Sequence, residues 1–290
     1  MRKVMSLMGV FVTAGALVAV GGTTALAAEY DPVEGVVDQA LVQVGQEVAS
    51  DEVPLAGSQE LAGAGVTPTL LGPVSVTPHD IDNSAVRLRE DGVQVLTVLE
   101  EGTTSATFSV AVPEGAVLRD EGDQVSLALE AEGVRLTFAE FDKPWAVDAN
   151  GVSLPTEYLV SGDTIVQTVD TTGAAFPVVA DPKITPRTSG ANGAGLYLSM
   201  SGTELKAAAS GIVAVGGAAA FVTCKGFTKL PAIVAKIAQL ACSVTGVPTV
   251  KLILNSIVSI QRSTTIVNGG CYEAKVLPQG PFRKVAASRC

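Results

Sequence analysis

Between residues 79 and 182, short runs of the chain alternate apolar and polar positions with period two. Val86 and Leu88, then Val93, Val95 and Thr97, alternate on either side of Glu90-Asp91-Gly92, which reads as a hairpin turn. Phe108, Val110 and Val112 alternate with Thr107, Ser109 and Ala111. Val125, Leu127 and Leu129 alternate with Ser126, Ala128 and Glu130. After Glu132-Gly133, Val134, Leu136 and Phe138 alternate with Arg135, Thr137 and Ala139. Tyr158 and Val160 precede a turn at Ser161-Gly162-Asp163, and Ile165 to Val169 is a further strand. Side chains on a strand point to opposite faces in turn, so this pattern predicts half-buried strands joined by tight turns. The expectation is an α+β protein whose residues 79–182 form an antiparallel domain, sandwich-like or barrel-like.

The flanks read differently. In residues 28–78, Val37, Ala40, Leu41, Val44 and Val48 share helical spacing, which Gly35 and Gly45 weaken. Pro54, Gly57, Gly63, Gly65, Pro68, Gly72, Pro73 and Pro78 then interrupt the chain so often that an acidic mobile arm is expected. Residues 183–202, with Pro186, Ser189, Gly190, Asn192, Gly193 and Gly195, read as a linker. Residues 203–290 read as a mainly helical domain. An Ala/Gly-rich stretch runs from Leu205 to Val222, and Pro231 and Pro248 each open a helix. Val234, Ile237 and Leu240 share one helix face with Ile233 and Ala241. Val250, Ile253, Leu254, Ile257, Val258 and Ile260 leave so little polar surface that their helix must be buried or face lipid. After Asn268-Gly269-Gly270, Tyr272, Ala274 and Val276 alternate in a short hairpin tail.

The start of the chain is an address. Met1-Arg2-Lys3 is basic, Val4 to Val20 is uncharged and apolar, and Ala25-Leu26-Ala27 is a small-residue cleavage site. This is the pattern of a secretory signal peptide over residues 1–27, cut near Ala27. The protein is therefore expected outside the cell.

Charge divides the chain again. The net charge is -10. Residues 28–182 hold five basic and 27 acidic residues, whereas residues 183–290 hold twelve basic and two acidic ones. Such asymmetry marks parts with different partners, or parts that attract each other. A negative total and 4% aromatic residues argue against a nucleic-acid partner.

All four cysteines lie in the basic part: Cys224, Cys242, Cys271 and Cys290. An even count in an exported chain reads as disulfides. Of three pairings, Cys224 with Cys242 and Cys271 with Cys290 is preferred, since it ties adjacent helices and the tail. No C-x-x-C pair suggests zinc, and a single histidine, His79, excludes a multi-histidine metal centre. No cofactor motif is present. G-x-S-x-G, H-E-x-x-H and P-loop patterns are absent, so a non-enzymatic role is expected.

Two blocks stand out. Pro144-Trp145-Ala146-Val147-Asp148-Ala149-Asn150-Gly151 offers a turn with an aromatic anchor. Phe176-Pro177-Val178-Val179-Ala180-Asp181-Pro182 follows it. Trp145 and Asp148 are the candidate recognition residues, as an aromatic face and a carboxylate beside a turn. Asp148 and Asp181, with Asp163 and Asp170 near in sequence, supply acidic density but no D-x-D-x-D-G calcium loop. The two blocks and the cysteine-containing helical end resemble a group of uncharacterised secreted proteins of actinobacteria, over roughly residues 85 to 290. That resemblance implies Gram-positive secretion and carries no activity.

Secretion and architecture together suggest an extracellular or cell-envelope binding module, whose partner is an envelope component or a protein. The alternative is a membrane-active, bacteriocin-like cationic part, residues 203–290, which contacts anionic membrane surfaces and is held in check by the acidic pro-region.

Overall fold

The computed structural model describes residues 32–46, 48, 54–122, 124–131, 133–186, 195–224, 246–260, 265–277 and 280–290, with 227, 230, 232, 234, 235, 238, 239 and 242 between them. The expected signal peptide, residues 1–27, lies outside the described residues.

Residues Asp31–Cys290 form one compact unit built on two antiparallel sheets. The smaller sheet has the order β1 (Gln59–Leu61), β2 (Ala64–Thr69), β3 (Gly72–Pro78), β6 (Ser105–Ala111), β12 (Thr164–Val169), β11 (Thr156–Ser161). The larger sheet centres on β5 (Gly92–Leu99) and β9 (Val134–Phe141). β5 is flanked by β4 (Ser84–Arg89) on one side and by β13 (Val178–Ala180) and β14 (Lys183–Pro186) on the other. β9 pairs with β8 (Val125–Ala131), which pairs with β7 (Ala116–Asp120). β10 (Ala146–Val147) pairs with β13. β15 (Leu196–Ser201), β16 (Cys271–Leu277) and β17 (Arg283–Val285) extend the sheet beyond β9. Neither sheet closes on itself, so the barrel-like expectation does not hold.

The period-two runs became strands at the expected places. Arg89 faces Gly92 across the β4–β5 turn, and Ser161 faces Thr164 across the β11–β12 turn. Phe108, Val110, Leu127, Leu136, Phe138, Phe141 and Ile165 are buried in a core that both sheets share. The sheets approach closely at Gly65 of β2, where a Cβ would lie 2.3 Å from Val93 Cγ1.

Three expectations about the flanks are corrected. The region expected as an acidic mobile arm, 28–78, contains α1 (Pro32–Gln43) and strands β1–β3. Its glycines and prolines mark hairpin ends instead of breaking the chain. Ala62 and Gly63 both have positive φ, +50° and +76°, in a two-residue turn that places Leu61 opposite Ala64. Pro68 faces Pro73 beside the next turn. The helix itself follows the predicted spacing: Val37, Ala40 and Leu41 are buried against Ala85, Leu96, Val98, Val147 and Val179 on the outer face of the larger sheet.

The linker expected at 183–202 contains β14 and β15, and both pair with β9. Pro186 faces Ala139 and Tyr197 faces Thr137, so the chain leaves the lane beside β9 and re-enters it two positions along. Pro186 is the last residue of β14, and residues 187–194 lie outside the described residues.

The helical domain expected at 203–290 is only in part helical, and it does not stand apart. Its strands β16 and β17 belong to the larger sheet, next to β15. α2 (Gly202–Ala214) and α3 (Val247–Ser259) pack on each other and on β15 and β16. α2 opens with a capping box in which Ser201 and Glu204 satisfy each other's backbone N–H groups. α3 carries Pro248 in its first turn, as expected, and buries Val250, Ile253, Leu254 and Ile257 in the common core. The hairpin tail is present as β16 and β17. Most of the residues expected in the helix after Pro231 lie outside the described residues. Among the described residues, no helix is long and apolar enough to cross a membrane.

Candidate functional site

The two blocks meet in space. β10 of the first pairs with β13 of the second, with Ala146 opposite Ala180 and Val147 opposite Val179. Trp145 N–H donates to Asp181 Oδ1 at 3.2 Å, and Gln94 Nε2 donates to Asp181 Oδ2 at 3.1 Å. Arg89 donates in turn to Gln94 Oε1, through Nη2 at 2.9 Å and Nε at 3.2 Å. Asp181, Gln94 and Arg89 are all buried. Burial pushes the Asp181 carboxyl up to about 7; the N–H donors of Trp145 and Gln94 oppose this, the Asp142 charge adds to it, and the Lys183 ammonium opposes it. This joint is a polar seam between two strands.

The structure gives the two candidate recognition residues other work. Trp145 is half-buried and packs beside the residues under α1; its indole nitrogen is buried. Asp148 is 4% exposed, and both its oxygens are engaged by backbone. Oδ1 accepts from Asn150 N at 2.9 Å and Val152 N at 2.8 Å, and Oδ2 from Ala175 N at 3.0 Å. These donors, Ala175 first, hold the Asp148 carboxyl below the usual range. Asp170 caps its own turn through Thr172. Asp148, Asp170 and Asp181 thus serve separate backbone and side-chain partners, and among the described residues no group of three or more His, Cys, Asp or Glu side chains could hold a metal.

The four cysteines form the two preferred disulfides, Cys224–Cys242 and Cys271–Cys290, each with Cα atoms 5.8 Å apart.

Among the described residues a polar cleft lies elsewhere. A cavity of about 300 Å³ opens where the chain passes between the sheets, under the 79–83 loop and beside the β5–β6 turn. The loop contributes His79, Asp80 and Asn83, and the turn contributes Glu100 and Thr103. Ser105 and Thr107 of β6 and Thr97 of β5 line the wall. The loop is braced from within. Asn83 Nδ2 donates to Asp80 Oδ2 at 2.9 Å, and Ser84 Oγ donates to the Asp80 carbonyl at 2.6 Å. His79 N–H donates to the Thr107 carbonyl at 2.9 Å, while its Nε2 lies 2.9 Å from Ser109 Oγ. The cleft is thus a recess bearing hydroxyls, an imidazole, an amide and two carboxylates, with no phenyl, phenol or indole ring among its lining residues. Such a lining presents hydrogen-bonding groups to whatever enters the recess.

Reading along the chain missed Asp80, Asn83 and Glu100. The only signal was local: His79-Asp80 and Glu100-Glu101-Gly102 are polar loops between strands. That they share one end of the molecule depends on β3 and β6 pairing across the intervening β4–β5 hairpin.

Compared with known proteins, the chain matches no family model, no curated protein and no solved structure.

Proposed function

We propose that this is a secreted, non-enzymatic module that binds a cell-envelope component, and that the cleft under the 79–83 loop is its ligand site. The observation that carries the reading is the cleft itself, a recess of about 300 Å³ walled by Asp80, Asn83, Glu100, Thr103, Ser105 and Thr107. Carboxylates beside hydroxyls suit a saccharide bearing both hydroxyl and amino groups, because the carboxylates accept from ammonium as well as from hydroxyl donors. The two disulfides fit an extracellular setting. The resemblance to secreted actinobacterial proteins fits the same address, and a sandwich-like pairing of the sheets is the finer architecture this reading adopts.

The membrane-active alternative loses ground on packing. The apolar faces it would turn to lipid, Leu205, Ala208, Ala209 and Ile212 of α2 and Val250, Ile253, Leu254 and Ile257 of α3, already lie in the common core. The basic part also supplies strands to the same sheet as the acidic part.

The test is binding of the full secreted chain to glucosamine oligomers, followed by amide shifts. Shifts confined to residues 79–83 and 97–107, and weakened by Asp80→Asn and Glu100→Gln, support the reading. No binding to these oligomers or to insoluble envelope glycan overturns it.

A further inference from the structure

The segment from Pro281 to Cys290 contains β17 and a short turn at Ala287–Arg289, and none of its residues is buried. Phe282 only leans on the core. Three residue pairs join β17 to β16. Beyond them two side-chain devices hold the turn, beside a hydrogen bond that the Ser288 carbonyl accepts. One is the disulfide from Cys290, which is exposed, to Cys271 on β16, which is 6% exposed. The other is Arg289. Its Nη1 lies 2.6 Å from Glu121 Oε2 and 2.7 Å from Glu140 Oε1, carboxylates whose side chains are 3% and 2% exposed. Arg135 Nη1 donates to the Ser288 carbonyl at 3.0 Å and to Glu121 Oε1 at 3.1 Å.

The other disulfide has a different setting. Cys224 and Cys242 enclose Phe227, Leu230, Val234 and Ala238, all buried in the core. Those four side chains belong to the core. Around Cys290 no such packing exists. The Arg289 side chain is 17% exposed and its two carboxylate partners are nearly buried, so the seat contributes in its own right, and the cross-link adds to it by holding Arg289 beside them at high effective concentration.

We propose that Cys271–Cys290 is a redox latch: closed, it seats Arg289 over Glu121 and Glu140; opened by a dithiol reductant, it releases residues 281–290 and uncovers both carboxylates and the edge of β16. A thiolate of the reductant attacks the sulfur of Cys290, the exposed residue of the pair, and Cys271 leaves as a thiolate and takes up a proton. The reductant's second thiol, as thiolate, then attacks its own sulfur in the mixed disulfide, and the Cys290 thiolate leaves and is protonated. Two electrons pass to the protein, which gains two thiols, and the reductant becomes a disulfide. The latch is independent of the ligand site proposed above.

The experiment is hydrogen exchange of the full chain before and after treatment with dithiothreitol, with mass mapping of the alkylated cysteines. Once Cys271 and Cys290 are alkylated, exchange over 281–290 should rise at least about tenfold, while β5 and β9 keep their protection. The Cys271→Ser/Cys290→Ser variant should show the open pattern without reductant. Arg289→Gln with the disulfide intact should stay protected and open on reduction like the parent. Continued protection of 281–290 in the reduced chain would overturn the latch. So would loss of protection in β9 together with the tail, which would make the disulfide a staple of the whole sheet.

Discussion

Asp181 Oδ1 accepts a hydrogen bond from the backbone N–H of Trp145 at 3.2 Å, and through it the two sequence blocks become one joint. The carboxyl is buried, and its pKa is pushed up to about 7 from an ordinary 3.8. Between those values the folded protein holds a proton that the unfolded chain has lost. Stability is therefore fully present below about pH 4 and falls as pH rises through about 7, by up to about 4 kcal/mol. Asp181→Asn should flatten the profile over that window. Urea unfolding from pH 4 to 8 checks this; parallel profiles for the two proteins would refute it.

Asp148 shows the opposite sign. Three backbone N–H groups stabilise its charged form, so its contribution is present above the usual carboxylate range and is lost as pH falls through the lowered value. Asp148→Asn turns one acceptor oxygen into a donor facing another donor. Thermal melts should show a clear loss for Asp148→Asn and none for Asp163→Asn, since Asp163 is exposed at a turn.

Arg87 of β4 pins α1 to the larger sheet by pairing with Glu34 and with Asp38, the latter at 2.8 Å. Both carboxylates are close to half exposed, so the pairs contribute modestly, about 1 kcal/mol together. In Arg87→Gln, hydrogen exchange in residues 32–43 should accelerate while β5 is unchanged. Buried Val37 and Leu41 should keep the helix docked on average.

Gly92 sits where β5 meets β14. A Cβ there would lie 2.0 Å from the Ile184 carbonyl oxygen, which is backbone and has little room to move. Gly92→Ala should cost about 3 kcal/mol, as overpacking of a tight contact does. Gly269→Ala, which meets nothing within 4 Å, is the control. Equal melting temperatures for the two variants would refute the close approach.

What the chain pattern revealed followed distance along the sequence. The β4–β5, β8–β9, β11–β12 and β16–β17 hairpins pair neighbours, and period-two alternation with a turn between is enough to specify them. The same logic failed at β1–β3, where turn glycines at 63 and 72 were read as chain breakers, and at β14 and β15, whose partner in the sheet is a strand 40 or more residues earlier. The candidate cleft was invisible for a related reason: His79, Asp80 and Glu100 look like ordinary loop polar residues until β3 and β6 are placed side by side.

By itself, the sequence determined the local hairpins and the helical faces of α1 and α3, because each follows from side-chain periodicity or turn chemistry; for the disulfides it supplied a preference among three pairings, which the structure settles. Only the tertiary structure decided that the acidic and basic parts share one sheet and one core, with Arg289 set between Glu121 and Glu140 and Lys183 2.7 Å from Asp91. Charge counted along the chain records how much of each sign is present. Which charges neutralise each other depends on long-range strand pairing, and that is settled by burying the apolar faces of distant segments together.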